Sequence, residues 1–250
     1  MEVKNLNFHF LKQYSNEIQP IKYTEVIKSP YYEMQVGTTK GRLSKNQSTS
    51  IISSHPMDNK LIAMIVVYNN KQTLEGERNA ERIGIEINKM FQSISKDCFF
   101  NIANIKNILV SYLKGINKKL SLSNEFVLDT SLGITIKGQS QTLILTIGSA
   151  TCYVINGNKL EEIETIKAKE TINDKLWLRP DITIIPNNYE SLLLTTSILS
   201  KKAVSQYADE STISDSIEKL INSQVDTDDI KYSMHKNRNL TVAMYKNSSK

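Results

Sequence analysis

The sequence predicts an α+β fold in which strands pack as a sandwich flanked by helices. Three observations predict it. Leu61–Tyr68 is a continuous apolar run, as expected of a strand covered on both faces. Residues 77–95 and 101–120 each carry apolar side chains at three- and four-residue steps, so two helices follow one another. Between residues 132 and 195 the pattern changes to short apolar or alternating runs separated by turn residues, which is strand patterning.

The elements follow in order. Residues 1–30 hold a short apolar patch at His9, Phe10 and Leu11, punctuated later by Pro20 and Pro30. They are expected to form an N-terminal extension, or an extra strand, packed on the domain. After the Leu61–Tyr68 strand, the first helix presents Ala80, Ile83, Ile87, Met90, Phe91 and Ile94 as its stripe, with Glu77, Arg78, Glu81, Arg82 and Lys89 mostly on the wet side. The second presents Ile102, Ile105, Ile108, Leu109, Tyr112, Leu113 and Ile116. This spacing is that of core-facing helices. Leu132–Lys137 alternates, and Thr142–Ile147 and Cys152–Ile155 are short and apolar. Asn156-Gly157 is a hairpin signal, because both residues accept positive φ in a type I′ turn, and Leu160–Ile166 returns from it. Ile182–Ile185 and Ser191–Thr195 are strands on either side of Pro186-Asn187-Asn188. Ser211–Gln224 is a third helix with Ile213, Ile217, Leu220 and Ile221 on one face, and Ser211 or Thr212 as its cap. Leu240–Tyr245 closes the chain as a strand. Trp177, the single tryptophan, is a core or edge aromatic or the anchor of a flap.

Composition narrows the class without naming a function. At 250 residues, 40% hydrophobic and 23% charged, the chain has the make-up of an ordinary globule. The formal charge of +5 is modest, and pairs such as Lys118-Lys119 and Lys201-Lys202 are too sparse for a nucleic-acid arm. Cys98 and Cys152 make neither a disulfide framework nor a metal spacing, and His9, His55 and His235 are isolated. No apolar stretch is long enough to span a bilayer, and the N-terminal residues lack the apolar core of a signal peptide, so a cytoplasmic protein is expected.

Five segments carry the candidate site. The first is Gly37-Thr38-Thr39-Lys40-Gly41-Arg42-Leu43-Ser44-Lys45-Asn46-Gln47-Ser48, and the second is Leu61–Asn70 followed by Gly76-Glu77. A third runs from Thr142 to Gly148 and on through Ser149-Ala150-Thr151-Cys152-Tyr153 to Leu160. The last is Arg238-Asn239-Leu240-Thr241-Val242-Ala243-Met244, and between the third and last lies Leu192-Leu193-Leu194-Thr195-Thr196-Ser197-Ile198-Leu199. In order and spacing these resemble the motifs of the PPM (PP2C-type) metal-dependent protein Ser/Thr phosphatases. The resemblance covers roughly residues 31–246. It implies one domain over residues 31–250, built as a four-layer α-β-β-α sandwich of two mostly antiparallel sheets flanked by helices.

The resemblance also identifies what is missing. Ser48, Asn69, Ser197 and Arg238 stand where the family has metal-binding Asp residues, and Asn70 stands in place of a Gly whose carbonyl helps hold metal. Gly148 and Tyr153 are kept, while the Asp, Ser and Arg between them read Ser149, Ala150 and Thr151. Arg42 corresponds to the family's phosphate-binding Arg, but lies one residue further from Asn46 than the pattern has it.

Family chemistry needs two divalent metals that activate a bridging water, and hard cations take oxygen ligands, above all carboxylates. Two dications about 4 Å apart repel by roughly 16 kcal/mol at an effective dielectric of 20, and carboxylates must offset that. Three neutral side chains and a permanent cation do not.

The expectation is therefore a pseudophosphatase with no cofactor. It would work by binding a protein partner (a phosphoprotein, a kinase or a related phosphatase), with neither nucleic acid nor membrane as target. Arg42 and Arg238 would give the old pocket a positive lining suited to phosphate oxygens, although the plainer and favoured expectation for Arg238 is that it faces solvent or pairs with a nearby carboxylate. Two other readings stand beside it. One is a working phosphatase whose metal site has moved to Asp226, Asp228 and Asp229. The other is a basic surface for nucleic acid or membrane.

Overall fold

A computed structural model describes residues 22–24, 26–39, 48–69, 74–122, 130–157, 159–163, 182–225 and 240–248. The strands are β1 (Lys22–Tyr23), β2 (Ile27–Lys28), β3 (Tyr32–Thr39), β4 (Ser48–His55), β5 (Asp58–Asn69), β6 (Thr130–Lys137), β7 (Gln141–Ile147), β8 (Thr151–Asn156), β9 (Lys159–Ile163), β10 (Thr183–Pro186), β11 (Ser191–Thr195) and β12 (Leu240–Asn247). The helices are α1 (Leu74–Ser93), α2 (Ile102–Leu122), α3 (Lys201–Tyr207) and α4 (Ile213–Val225), with a 3₁₀ turn at Lys96–Phe100.

The strands form two antiparallel sheets. One runs β1-β3-β12-β11-β8-β9, with β2 also paired to β3, and the other runs β10-β7-β6-β5-β4. The β5 run explains the layering. Leu61, Ala63, Ile65 and Val67 pack on one side with the apolar faces of α1 and α2, including Ile87, Phe91, Ile105 and Leu109. Ile62, Met64 and Val66 point the other way and meet Met34, Val36, Leu192, Leu194 and Ala243 of the second sheet. A strand has period two, so an unbroken apolar run is what a strand between two layers requires. The second sheet repeats the logic. Leu192 and Leu194 face the first sheet, while Leu193, Val242 and Met244 face Val204, Ile217, Leu220 and Ile221 of α3 and α4. The result is the expected α-β-β-α order. Midway along β6, Gly133 leaves room for side chains of both sheets: a Cβ there would lie 2.9 Å from Leu194 of the second sheet and 2.9 Å from Val66 of its neighbour β5.

Several local expectations are refined. Asn156 pairs with Lys159, so it ends the strand and does not begin the turn. The two-residue loop starts one position later, at Gly157, whose φ of +56° is the left-handed value that glycine adopts freely. Thr212, not Ser211, caps α4 by accepting the Asp215 N–H at 3.0 Å. Ser211 donates to the Asp215 carboxylate instead, at 3.1 Å. Hydrogen bonds from Thr212 and Ser211 hold that carboxyl below its usual range. Strand β4 and helix α3 are elements that the sequence pattern does not announce. In the expected extension, β1 and β2 pair with β3, while residues 1–21 lie outside the described residues, as do Trp177 and residues 164–166.

Candidate functional site

The ends of seven strands meet at one pole of the sandwich. From the second sheet come the end of β3, the start of β12, the end of β11 and the start of β8. From the first come the start of β4, the end of β5 and the start of β6. Three sequence-predicted positions, Ser48, Asn69 and Ser197, arrive at this pole together. Asn69 is fully buried, and Ser48 and Ser197 are 7% and 6% exposed. The other predicted positions, Asn70, Arg42 and Arg238, lie outside the described residues, as do Asp226, Asp228 and Asp229.

Short neutral side chains knit the pole together. Thr241 donates its hydroxyl to Ser48 at 2.8 Å, which leaves its oxygen to accept from Thr38 at 2.8 Å. Thr38 also lies 3.4 Å from Ser48. These three hydroxyls join β3, β12 and β4, and so tie one sheet to the other. The backbone N–H of Thr241 donates to the Thr196 hydroxyl at 3.0 Å, and Thr196 N–H donates to the Thr241 carbonyl at 3.1 Å. On the first sheet Asn69 donates its side-chain amide to Thr130 at 3.1 Å.

A second tie between the sheets runs through Ser149. Its hydroxyl donates to the Thr196 carbonyl at 2.8 Å, and its N–H donates to the Ser131 hydroxyl at 3.0 Å. Ser131 therefore directs its own proton to the Ser149 oxygen, 2.9 Å away. Gly148 makes this possible. At φ +73° it takes a conformation that side chains disfavour, and a Cβ would sit 2.5 Å from the Ser131 hydroxyl. Tyr153, the other retained residue, is fully buried. Its hydroxyl donates to the Leu199 carbonyl at 2.9 Å and accepts the Leu199 N–H at 2.8 Å. That pair of bonds fixes the loop after β11, where Ser197 sits. The Thr195 hydroxyl donates to the Ser197 carbonyl at 2.5 Å and holds the same loop from the strand side.

The donor set can be compared with what paired divalent cations require. Hydroxyls, one carboxamide and backbone carbonyls are weak neutral ligands, and the Thr38, Ser48, Thr241, Ser131 and Ser149 hydroxyls are already bonded to one another. Among the described residues no three His, Cys, Asp or Glu side chains come together as a metal site. These side chains do not fit a binuclear centre.

Comparison with known proteins identifies the architecture. A bacterial serine phosphatase aligns with a TM-score of 0.69, at 17% identity over 87% of this chain and 98% of that one. The fold is that of the PP2C-type phosphatases. The serine/threonine phosphatase Stp1 of Staphylococcus aureus aligns at 0.65, with 18% identity over 85% of this chain and 94% of that one. The catalytic domain of the serine/threonine phosphatase PstP, crystallised with two manganese ions, aligns at 0.62, with 11% identity over 88% and 99%. No family model matches the chain, and no curated protein matches it.

The hydroxyl network is what sequence reading missed. Thr38, Thr241, Thr196 and Ser131 sit beside the motif positions in sequence or across the ladder, Ser149 is itself a motif position, and a concentration of Ser and Thr at the strand ends was the available signal. Of the isolated histidines, His9 and His235 lie outside the described residues, and His55 is held by the backbone. The imidazole of His55 accepts the Met57 N–H at Nδ1 (3.3 Å), so Nε2 carries the proton and donates to the Ile94 carbonyl at 2.8 Å. Burial lowers its pKa below the usual 6.5 and keeps the ring neutral. Cys152 is fully buried, and burial pushes its thiol up; Cys98 is half-buried, and both are unpaired. No described helix is long and apolar enough to cross a membrane.

Proposed function

We propose that this chain is a catalytically inactive PP2C-like domain that acts by binding a protein in phospho-signalling. One observation carries the reading: at the pole where the fold's metal ligands would converge, Ser48 and Asn69 are buried, neutral and bonded to neighbouring hydroxyls, and Ser197 is a third buried neutral side chain whose carbonyl Thr195 holds. Turning such a set into a site for two dications would require burying several carboxylates, each of which costs several kcal/mol unless a cation neutralises it. The partner would be a phosphoprotein, a kinase or an active phosphatase. Arg42 and Arg238 are the residues proposed to meet phosphate there, because guanidinium groups pair bidentately with phosphate oxygens. Two unpaired thiols support a cytoplasmic site of action.

The direct test is hydrolysis of p-nitrophenyl phosphate and of a phosphothreonine peptide by the full chain, with Mn²⁺ or Mg²⁺ added. The expected result is no turnover above buffer and no saturable heat of Mn²⁺ binding by calorimetry. Metal-dependent turnover that vanishes on replacing Asp226, Asp228 and Asp229 with Asn would overturn the reading in favour of a relocated site. A pull-down with Arg238→Asp beside the unaltered chain tests the pocket separately. Recovery of the same proteins by both would remove Arg238 from the binding surface.

A further inference from the structure

At the opposite end of the sandwich, several of the same strands open into a cleft of about 1000 Å³. Its walls are the segment before β3, the β4–β5 hairpin, the β6–β7 turn and the end of β12. Four lysines line it, Lys28, Lys60, Lys96 and Lys137, against a single carboxylate, Asp58. Two of the four are already matched: Lys28 pairs with Glu33 at 3.0 Å and Lys96 with Asp58 at 3.5 Å. Lys60 and Lys137 have no carboxylate partner among the described residues. Each is directed at a tyrosine instead. The Lys60 ammonium lies 4.3 Å from the ring centroid of Tyr31, and that of Lys137 lies 5.7 Å from the ring centroid of Tyr245. Lys137 is half-buried, and burial alone depresses its pKa, with no anion offsetting the loss of water.

The apolar surface points to the same place. Three large hydrophobic side chains are exposed among the described residues, and two of them, Tyr31 at 51% and Met57 at 57%, line this cleft. Tyr and Met are enriched where proteins meet. A free inorganic anion would engage the ammoniums but leave both uncovered. A flat membrane surface would reach the rim more readily than the half-buried Lys137. Nucleic acid calls for a row of cations spaced along a backbone, and here the unmatched pair is confined to one concavity.

We propose that this cleft docks an acidic segment of a protein partner, with Lys60 and Lys137 meeting its carboxylates and Tyr31 and Met57 covering an apolar side chain between them. The inference goes beyond the proposed function and does not depend on the chemistry of the hydroxyl pole.

The test titrates the full chain into a fluorescein-labelled Glu/Asp-rich peptide carrying one central Phe, followed by anisotropy. Its Gln/Asn counterpart, a labelled single-stranded oligonucleotide and phosphatidylserine vesicles form separate arms. The acidic peptide is expected to bind at least about tenfold more tightly than its neutral counterpart, with affinity falling as salt rises. Lys60→Gln and Lys137→Gln are each expected to weaken it by about tenfold, whereas Lys114→Gln on the exposed face of α2 leaves it unchanged. Circular dichroism and the urea midpoint confirm that these conservative variants fold. Absence of peptide binding overturns the proposal, as does equal binding by the Lys60→Gln/Lys137→Gln double variant. Oligonucleotide or vesicle binding that requires both lysines, without peptide binding, overturns it in favour of those partners. None of these outcomes alters the reading of the hydroxyl pole, which the phosphatase and Mn²⁺ assays decide.

Discussion

At one end of β5 the fully buried Asn69 gives its amide to Thr130, within a group of hydroxyls that bond to one another. Eleven residues earlier the same strand begins at Asp58, roughly 35 Å away at the rise of an extended chain. There Lys60 and Lys137 lie against tyrosine faces with no carboxylate partner among the described residues. The first pole directs its hydrogen-bonding capacity inward and joins the two sheets. The second leaves cationic and apolar surface facing outward. The two ends of one sandwich thus differ in where their polar groups are directed. Groups already matched inside contribute to stability, and groups left unmatched are available to a ligand.

The largest effect should come from restoring one carboxylate to the closed pole. Asn69→Asp places a charge where no water reaches, and the expected loss is about 3–5 kcal/mol of unfolding free energy. Urea denaturation with and without MnCl₂ measures it. Recovery of the lost stability by Mn²⁺ would break the contrast, since the pole would then still accept a cation.

Thr241→Val should cost about 1–3 kcal/mol, because Thr38 and Ser48 lose the hydroxyl that bridges them. A smaller value in a chemical-denaturation series would mean that the inter-sheet tie rests on packing alone.

His55 gives a graded test next to the lysine pole, since it lines that cleft. Its folded pKa lies below the unfolded 6.5, so the unfolded chain binds more protons between the two values. The contribution of His55 to stability is therefore complete above about pH 6.5 and declines as pH falls toward the folded pKa. In thermal melts between about pH 7.5 and about pH 5.5, His55→Gln should show a shallower loss of Tm with acidification than the unaltered chain.

The smallest effect is expected at Lys60→Gln, within about 0.5 kcal/mol of the unaltered stability, as for an exposed side chain outside any network. A loss well above that would make Lys60 part of the scaffold and weaken the distinction between the two ends.

How much was legible depends on the kind of signal. The apolar strand β5 and the stripes of α1, α2 and α4 are visible because burial on one or two faces imposes a period on neighbouring residues. Strand β4, Ser-Thr-Ser-Ile-Ile-Ser-Ser-His, carries no such alternation, since its hydroxyls face a polar network and its edge needs little apolar surface. Helix α3 has only Ala203 and Val204 buried, too few to draw a stripe. The hairpin register at Gly157 is not legible locally, because Asn-Gly and Gly-Asn both fit a left-handed turn, and only the pairing of Asn156 with Lys159 fixes it.

At the candidate site, motif order singles out Ser48, Asn69 and Ser197, and the fold brings all three to one pole. The network around them was not legible, because Ser and Thr are ordinary residues in strands until the ends of β3, β4, β6 and β12 converge. The lysine cleft was still less visible. Lys28, Lys60, Lys96 and Lys137 are spaced about the chain at intervals of 32, 36 and 41 residues, and no local window contains two of them.

The sequence by itself determined the alternation of strands and helices, the two-faced burial of β5 and the absence of carboxylates from the motif positions, because each is a property of adjacent residues or of their order. The tertiary structure alone decided which hydroxyls bond across the sheets and which lysines share a cleft. Hydrogen bonds and charge pairs act over a few ångströms, and only the stacking of the two sheets brings residues so distant in the chain within that reach.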